Sequence, residues 1–338
     1  MSDIDPGADL GAVWPDPGAA AQSTVEAAVW PHPGVVALQR LAAVWPDPGD
    51  SYWPDPGAAP HTLWSRDNYP YTVTRRRLRG YGWRPDRPDH RDRPYVPVLR
   101  DDERKSRDLS EQFTIPVYNQ GPIASCTANA IAAAIAFARV RETLPHGDRV
   151  PSRLFIYFGE RVIEGTTASD SGASLRDGIK VVAADGACFE DGAGAWPYVV
   201  DQVAVPPPRA SFQAALKDRA VAYFRLRQKI AHMEDCIASG YPFVFGFSIF
   251  SALESPAVAD TGVLPRPTRG EQPIGGHAVM AVGFSRERRA FKVLNSWGET
   301  WGDNGFFWMP YSYIADAGLA DDFWTIRLVA PAASAGAR

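Results

Sequence analysis

Four residues of this chain have the types and the order that thiol acyl-transfer chemistry requires. Cys126 stands at the start of an alanine-rich run, and Gln120 lies six residues before it. Far downstream come His277, preceded by two glycines, and Asn295, in a segment that continues with Ser-Trp-Gly. A cysteine, a histidine and an asparagine form a nucleophile, a base and an orienting group, and the glutamine supplies a donor for an oxyanion.

Each of the four residues has a predicted role. The thiolate is the reactive form of cysteine, and a helix N-terminus or a nearby histidinium lowers the thiol pKa, so we expect a lowered pKa at Cys126. His277 would take the thiol proton and later donate it to the leaving amine, while Asn295 would orient the imidazole. Gln120 and the Cys126 backbone N–H would stabilise the oxyanion. Trp297 is expected to cover the contact between asparagine and histidine.

Each of these residues alone would be read as structural, since a free cysteine is usually buried and a histidine often only packs. Their joint occurrence in one order favours the chemical interpretation. The other two cysteines, Cys188 and Cys236, are predicted to fill small apolar sites. The sequence has no paired Cys/His spacing and no phosphate-binding loop, so we expect no metal and no cofactor.

The elements that would position these groups change in type along the chain. Helices are predicted at 125–140, 152–162 and 174–184, the first capped by Ser125 and apolar almost all round, which implies burial. Aromatic and β-branched residues predict strands in the second half, at 243–250, 278–284, 290–294, 305–309 and 323–329. Helices first and strands later predict an α+β fold, with a helical lobe, an antiparallel sheet lobe and a cleft between them.

Residues 1–60 differ from the rest of the chain. The unit Trp-Pro-(Asp/His)-Pro-Gly occurs four times there, with tryptophans at 14, 30, 45 and 53. Two prolines per unit block helix formation, so this tail is predicted to be disordered, with one exposed tryptophan per unit. The repeats would dock on a protein partner, occupy the chain's own cleft, or have no dedicated partner.

Composition limits the remaining possibilities. The chain has 338 residues and a formal net charge of −4, which implies no bulk attraction to nucleic acid. No secretory signal and no membrane-spanning run is recognisable, so no membrane partner is expected. After the tail we expect a charged arm at 61–107 that packs on the body, one globular domain at 108–330, and a flexible C-terminus at 331–338.

The cysteine, histidine and asparagine segments together resemble the papain-like cysteine peptidases. Pro116–Gly121 with Ser125-Cys126 resembles the nucleophile segment, Gly276–Val279 resembles the histidine strand, and Asn295–Gly298 resembles the asparagine segment. The resemblance implies a two-lobed fold and hydrolysis of peptide bonds through an acyl-enzyme thioester. It also implies substrate contacts at five positions, of which Gly172 would pair with an extended peptide: Ser171, Gly172, Ala173, Gly246 and Ala278.

The chain departs from the family at two positions near the nucleophile. Ile123 stands where the family usually has a second cysteine, and Thr127 stands where an aromatic residue usually follows. The missing disulfides fit a bacterial, cytoplasmic-type branch of the family, so a reducing, cytoplasmic location is expected. The secreted family's helical inhibitory propeptide is not recognisable in residues 1–110.

The sequence therefore predicts a cysteine endopeptidase that acts on a peptide or protein substrate, with the repeats recruiting a partner or occupying the cleft. Two alternatives stay open at this point. One is acyl transfer, or processing of one dedicated partner, on the same fold. The other is a non-catalytic interaction protein that works through its tryptophan repeats.

Overall fold

The structure is a computed structural model, and it describes residues 81–216 and 221–328. The tryptophan repeats of 1–60, the first part of the predicted arm and the C-terminal segment 331–338 lie outside the described residues. The described part contains a group of helices, a mixed region of short elements and an antiparallel sheet.

Three helices make up the first half: α1 (Cys126–Arg141), α2 (Arg153–Glu164) and α3 (Leu175–Ala184). Their starts lie within one residue of the predicted starts. Serine side chains cap α2 and α3, because Ser152 and Ser174 accept hydrogen bonds from backbone N–H groups of the first turn. The predicted cap of α1 is wrong, since Ser125 makes no such bond; its hydroxyl contacts the Tyr198 hydroxyl at 2.5 Å instead.

Seven strands form one sheet in the described chain, and every strand pair in it is antiparallel. The order is β2-β7-β3-β4-β5-β6, with the short β1 pairing to β4. Phenylalanine and tyrosine side chains fill the core beneath the sheet, as the aromatic composition of these segments favours. The strands are β1 (Arg107–Asp108), β2 (Val221–Arg225), β3 (Phe243–Ile249), β4 (Gly275–Ser285), β5 (Ala290–Leu294), β6 (Phe306–Pro310) and β7 (Ala320–Leu328).

Several short elements were not predicted from the sequence. They include the strands β1 and β2 and four helices of nine residues or fewer: α4 (Arg209–Ala215), α5 (Ile230–Ala238), α6 (Pro256–Thr261) and α7 (Tyr311–Ile314). Elements this short carry little periodicity, so their formation depends on packing against the larger elements.

Helix α1 is the element on which both halves meet. It is buried along almost its whole length, as its composition predicts. Its side chains share one core with residues of strands β3, β4 and β7, among them Val244, Met280 and Trp324. The first residue of this helix is Cys126, so the thiol lies at the junction between helices and sheet.

A later stretch of the described arm, residues 95–99, is held against strand β2 and helix α5. The Tyr95 backbone N–H donates to the Arg225 carbonyl at 2.8 Å, and the Tyr95 hydroxyl donates to the Asp235 carboxylate at 2.5 Å. Asp235 also accepts from the backbone N–H groups of Val98 and Leu99. One buried carboxylate therefore fixes a whole stretch of the arm to helix α5.

Candidate active site

His277 and Asn295 form a buried pair at one end of the sheet. His277 lies on β4, and Asn295 follows directly after the neighbouring strand β5. The Nε2 atom of His277 is 2.8 Å from Oδ1 of Asn295. Because an amide oxygen can only accept, Nε2 carries the proton and Nδ1 has a free lone pair. Nδ1 is buried and has no hydrogen-bond partner among the described residues.

Trp297 lies over the imidazole of this pair. Its ring is stacked on the His277 ring with the centroids 5.1 Å apart and an angle of 29° between the planes. Trp301 packs edge-on against Trp297 at 5.0 Å. Trp297 therefore covers one face of the histidine and is itself held by Trp301, which limits access of water to the hydrogen bond with Asn295.

Cys126 is fully buried at the first position of α1. The backbone N–H groups of Ala278 and Gly82 lie close enough to its sulfur to oppose the effect of burial on its pKa, so the thiol lies beside the residue that follows His277. Burial nevertheless raises the pKa of the Cys126 thiol to about 11. The prediction of a lowered thiol pKa at Cys126 is therefore wrong for this structure.

The histidine shows the same effect of burial. Burial lowers the pKa of His277 to about 4, against the opposing hydrogen bond with Asn295. Both members of the prospective thiolate–imidazolium pair are thus neutral near pH 7. The sequence-based expectation considered the helix terminus and the histidine but not the chain segment that covers them.

Gln120 is held in place by its own loop and by the asparagine segment. Its Nε2 donates to the Ile123 carbonyl at 3.0 Å, and its Oε1 accepts from the Ser296 hydroxyl at 2.6 Å. An amide nitrogen carries two hydrogens, so one donor remains for a further acceptor. Ser296 was not singled out from the sequence, although it connects the glutamine to Asn295, whose Oδ1 accepts from the Ser296 N–H.

The arm passes through the space between the helices and the sheet. Ala173 pairs with it on one side: the Ala173 N–H donates to the Gly82 carbonyl at 2.7 Å, and the Arg84 N–H donates to the Ala173 carbonyl at 3.0 Å. On the other side the Trp83 N–H donates to the Gly276 carbonyl at 3.2 Å. The cleft next to the thiol is therefore occupied by the chain's own extended backbone.

The five predicted substrate positions line this occupied cleft in different ways. The arm pairs through the backbone of Ala173, and the Gly172 N–H donates to the Tyr157 hydroxyl instead. Ser171 donates within its own loop to the Thr166 hydroxyl at 2.8 Å. Gly246 lies under the Trp83 indole, and Ala278 contacts the thiol through its N–H.

Glycine is required where the arm comes closest to the nucleophile loop. A Cβ at Gly82 would lie 1.8 Å from the Ala124 carbonyl oxygen. A Cβ at Gly172 would lie 2.0 Å from the Gly82 carbonyl oxygen. These are backbone atoms that cannot turn away, so the close fit of the arm depends on the absence of side chains.

Asp170 connects the nucleophile loop to the segment that pairs with the arm. Both of its carboxylate oxygens lie 3.0 Å from the Ala124 N–H. The Tyr157 hydroxyl donates to the same carboxylate at 2.6 Å and accepts from the Gly172 N–H at 3.0 Å. No local pattern singles out Asp170, because its partners are distant along the chain.

The three cysteines are all free and buried. In the described ranges 81–216 and 221–328, no group of three or more His, Cys, Asp or Glu side chains could hold a metal ion. No helix in the same ranges has the length and hydropathy needed to cross a bilayer.

A helix-borne thiol facing a sheet-borne histidine–asparagine pair is the arrangement of a two-lobed thiol peptidase, and comparison with known proteins agrees. A sequence model described as "Papain family cysteine protease" matches residues 209–325. A peptidase C1-like protein of Acanthamoeba polyphaga mimivirus is 42% identical over 234 residues, which cover 66% of this chain and 74% of the viral protein.

Solved structures show the same likeness. Xylellain, a cysteine protease from Xylella fastidiosa, is 39% identical and superposes with a TM-score of 0.67, over 77% of this chain and all of xylellain. A digestive procathepsin L 3 from Tenebrio molitor shares the fold at 17% identity, with a TM-score of 0.56 over 74% of this chain and 76% of its own. The chain belongs to the papain family of cysteine peptidases, and it is a hydrolase.

Proposed function

We propose that this chain is a cysteine endopeptidase in which Cys126 is the nucleophile, His277 the base and acid, and Asn295 the orienting group. The observation that carries the proposal is the buried His277–Asn295 pair. It fixes the proton on Nε2 and leaves Nδ1 as a free base, on a strand whose next N–H reaches the Cys126 sulfur.

The proposed reaction uses these atoms in sequence. His277 Nδ1 takes the thiol proton, and the thiolate attacks the carbonyl carbon of an extended peptide. The Cys126 backbone N–H and the remaining Gln120 Nε2 hydrogen donate to the oxyanion, each worth about 3 kcal/mol of barrier. The imidazolium then protonates the leaving amine. Water activated by the same histidine hydrolyses the thioester and restores the thiol.

Backbone pairing in the cleft supports cleavage within a chain. The arm is held through main-chain groups of Ala173 and Gly276, and these contacts fall in the middle of an extended segment rather than at a chain end. A substrate that adds as a strand in the same place would be recognised the same way. Such recognition needs no free terminus, and it suits a peptide or an unfolded protein.

The arm would keep the wild-type enzyme latent. The arm occupies the cleft beside the thiol, where Gly82 lies next to the Cys126 sulfur, so it excludes a substrate. It also buries the thiol, which keeps the thiol pKa high. We propose that activity requires the segment 81–84 to leave the cleft. From the sequence, occupation of the cleft was considered only for the tryptophan tail, as one alternative to recruitment of a partner.

The tryptophan repeats would fit poorly into the cleft position that residues 82–84 occupy. This supports the proposal that the repeats recruit a protein partner instead. The residue before each repeat tryptophan is valine or tyrosine, where the arm needs Gly82. The residue after it is proline, which lacks the N–H that Arg84 donates to Ala173. Replacing the four repeat tryptophans by alanine should remove partner capture and leave peptide cleavage unchanged; increased cleavage would instead indicate self-occupation by the tail.

We also propose that the enzyme works in a reducing compartment, as in the cytoplasm. The three buried thiols form no disulfide, and Asp170 with Tyr157 holds the nucleophile loop without one. A test is to compare activity with and without a thiol reductant after mild oxidation. We expect activity to fall on oxidation and to return with the reductant, and equal or greater activity of the oxidised sample without the reductant would contradict this proposal.

The decisive test of the catalytic proposal uses a full-length chain with the cleft opened. We expect the Gly82→Val chain to cleave unstructured peptides and to lose all cleavage when Cys126→Ala is added, with an unchanged circular dichroism spectrum. Mass analysis with added amines separates hydrolysis from acyl transfer, since only hydrolysed ends are expected. Persistent cleavage without the thiol would remove the proposed nucleophile.

A further inference from the structure

The side chain of Trp83 fills a pocket beside the thiol whose walls are main chain. Its indole lies against Gly246 of β3, where a Cβ would come within 1.9 Å of the ring. On β4, a Cβ at Gly276 would lie 2.9 Å from the same ring. Two adjacent strands without side chains at these positions therefore form a flat slot that accepts a large planar group.

The end of this slot is formed by Asp322, and a bulge in β7 directs it there. The pairing of β3 with β7 shifts register between Val244 and Gly246, which leaves one extra residue on β7. Asp322 lies in that extra stretch with φ +59°, a conformation that aspartate tolerates better than most residues. Its side chain is fully buried, and its Oδ2 accepts from the Trp83 indole Nε1 at 3.1 Å.

The two oxygens of Asp322 have different partners. Oδ1 accepts from Arg225 at 3.1 Å, a contact within the sheet. Oδ2 accepts from the indole and from the Asp86 backbone N–H at 2.7 Å, and both of these donors belong to the arm. When the arm leaves the cleft, Oδ2 loses both donors, and a buried acceptor without a donor costs free energy.

The charges around the slot indicate what kind of donor would replace the indole. Asp86 and Asp92 would leave with the arm, and they are partners of Arg176 and Arg225. The body then retains two arginines, together with Asp321 and Asp322. Glu164 also loses its partner Arg84 when the arm leaves. Asp322, however, keeps Arg225 as its own ion-pair partner, so a neutral donor fits its second oxygen better than a second cation.

We propose that Asp322 is a specificity-determining residue that makes this pocket select tryptophan, a flat side chain with a neutral N–H donor. The proposal rests on the peptidase function proposed above. Aromatic side chains of the same size without an N–H would leave Oδ2 unpaired and bind less well in the transition state. Arginine and lysine would bring a charge that the slot does not need.

The test uses the full-length Gly82→Val chain and peptides that differ at one residue. Tryptophan, naphthylalanine or arginine is placed at the first, second or third residue before a fluorogenic amide, and kcat/KM is measured for each. At one position we expect tryptophan to exceed naphthylalanine by about tenfold or more, the effect of one unpaired buried acceptor. Equal rates for these two, or a preference for arginine, would overturn the proposal.

Asp322→Asn tests the role of the carboxylate itself. Arg225 requires an oxygen, so the asparagine would turn its NH₂ toward the slot, where it cannot accept from an indole. We expect the preference for tryptophan to vanish while cleavage of the naphthylalanine peptide stays within about threefold. The matched control is Asp321→Asn, which removes a neighbouring charge also paired with Arg225 but does not contact Trp83.

The outcomes separate the two proposals. If the opened chain cleaves no peptide and Cys126 does not react with a thiol trap, the peptidase proposal fails. If it cleaves peptides and the preference for tryptophan persists in Asp322→Asn, the role of Asp322 fails alone. Should Asp322→Asn not fold, the comparison of tryptophan with naphthylalanine on the parent still decides the selectivity.

Discussion

Gly82 lies so close to Ala124 that a Cβ at position 82 would be 1.8 Å from the Ala124 carbonyl oxygen. At this separation the Gly82 N–H also reaches the Cys126 sulfur. The arm thus approaches the nucleophile loop more closely than any other residue type would permit. Access to the thiol and the burial that raises its pKa therefore depend on one glycine.

Replacement of Gly82 by valine should open the cleft. The branched side chain cannot be accommodated against the Ala124 backbone, so the arm must shift, and we expect kcat/KM for an unstructured peptide to rise about tenfold or more. The matched control is Arg87→Val, which introduces the same residue at an exposed position of the arm. Equal activity in the two variants and the wild type would show that the arm does not limit access.

Loss of the Asn295 side chain should act on turnover rather than on substrate binding. Without Oδ1 the imidazole loses the partner that holds the proton on Nε2, so fewer molecules present a basic Nδ1 to the thiol. In the Gly82→Val background we expect Asn295→Ala to lower kcat about tenfold or more, with KM changed less than about threefold.

Asn295→Asp is the informative comparison for this prediction. An aspartate keeps an acceptor oxygen at the same place, so it should retain more activity than alanine. A fall in stability without any fall in kcat for Asn295→Ala would indicate that the asparagine only supports the loop.

Stability of the wild-type chain should depend on pH through His277. Its pKa is lowered to about 4 in the fold, from about 6.5 in an unfolded chain. Between these values the unfolded chain binds the proton and the folded chain does not, so stability is complete above pH 6.5 and decreases as the pH falls toward 4. The loss approaches about 3 kcal/mol.

Urea unfolding at pH 7.5, 5.5 and 4.5 measures this loss. His277→Gln removes the titrating group, so the difference in unfolding free energy between wild type and variant should shrink as the pH falls. A difference that is constant over this range would contradict a neutral, buried His277.

Asp170 should stabilise both the nucleophile loop and the segment that pairs with the arm. Asp170→Ala leaves the Ala124 N–H and the Tyr157 hydroxyl without their acceptor, and each lost hydrogen bond costs about 1 kcal/mol because the Asp170 side chain is exposed. We expect lower stability and, in the Gly82→Val background, slower alkylation of Cys126. Asp170→Asn keeps one acceptor oxygen and should be intermediate; equal effects of the two substitutions would point to the charge instead.

Local patterns were sufficient for the large elements. The serines before α2 and α3 and the alanine-rich α1 predicted three helices to within a few residues, and aromatic runs predicted β3 to β7. The order of Gln120, Cys126, His277 and Asn295 identified the group that the fold brings to one junction. These features depend on neighbours in sequence, which is the information that one chain carries most directly.

The features that could not be predicted from the sequence depend on contacts between segments that are distant along the chain. The pairing of Gly82 and Arg84 with Ala173 joins segments about ninety residues apart, and no local signal marks Tyr81–Arg84 as the occupant of a cleft. The thiol pKa was mispredicted for the same reason, because burial by that segment outweighs the helix terminus. The bulge in β7 that orients Asp322 toward the pocket likewise depends on the register between β3 and β7.

The central claim is that Cys126 is a catalytic thiol held latent by the arm, and labelling with an epoxide thiol trap tests it most directly. Full-length wild type and Gly82→Val are incubated with the trap under reducing conditions, and the adducts are located by mass spectrometry. We predict one adduct, on Cys126, that forms at least about tenfold faster in Gly82→Val. No adduct in either chain, or equal labelling of Cys126, Cys188 and Cys236, would contradict the account.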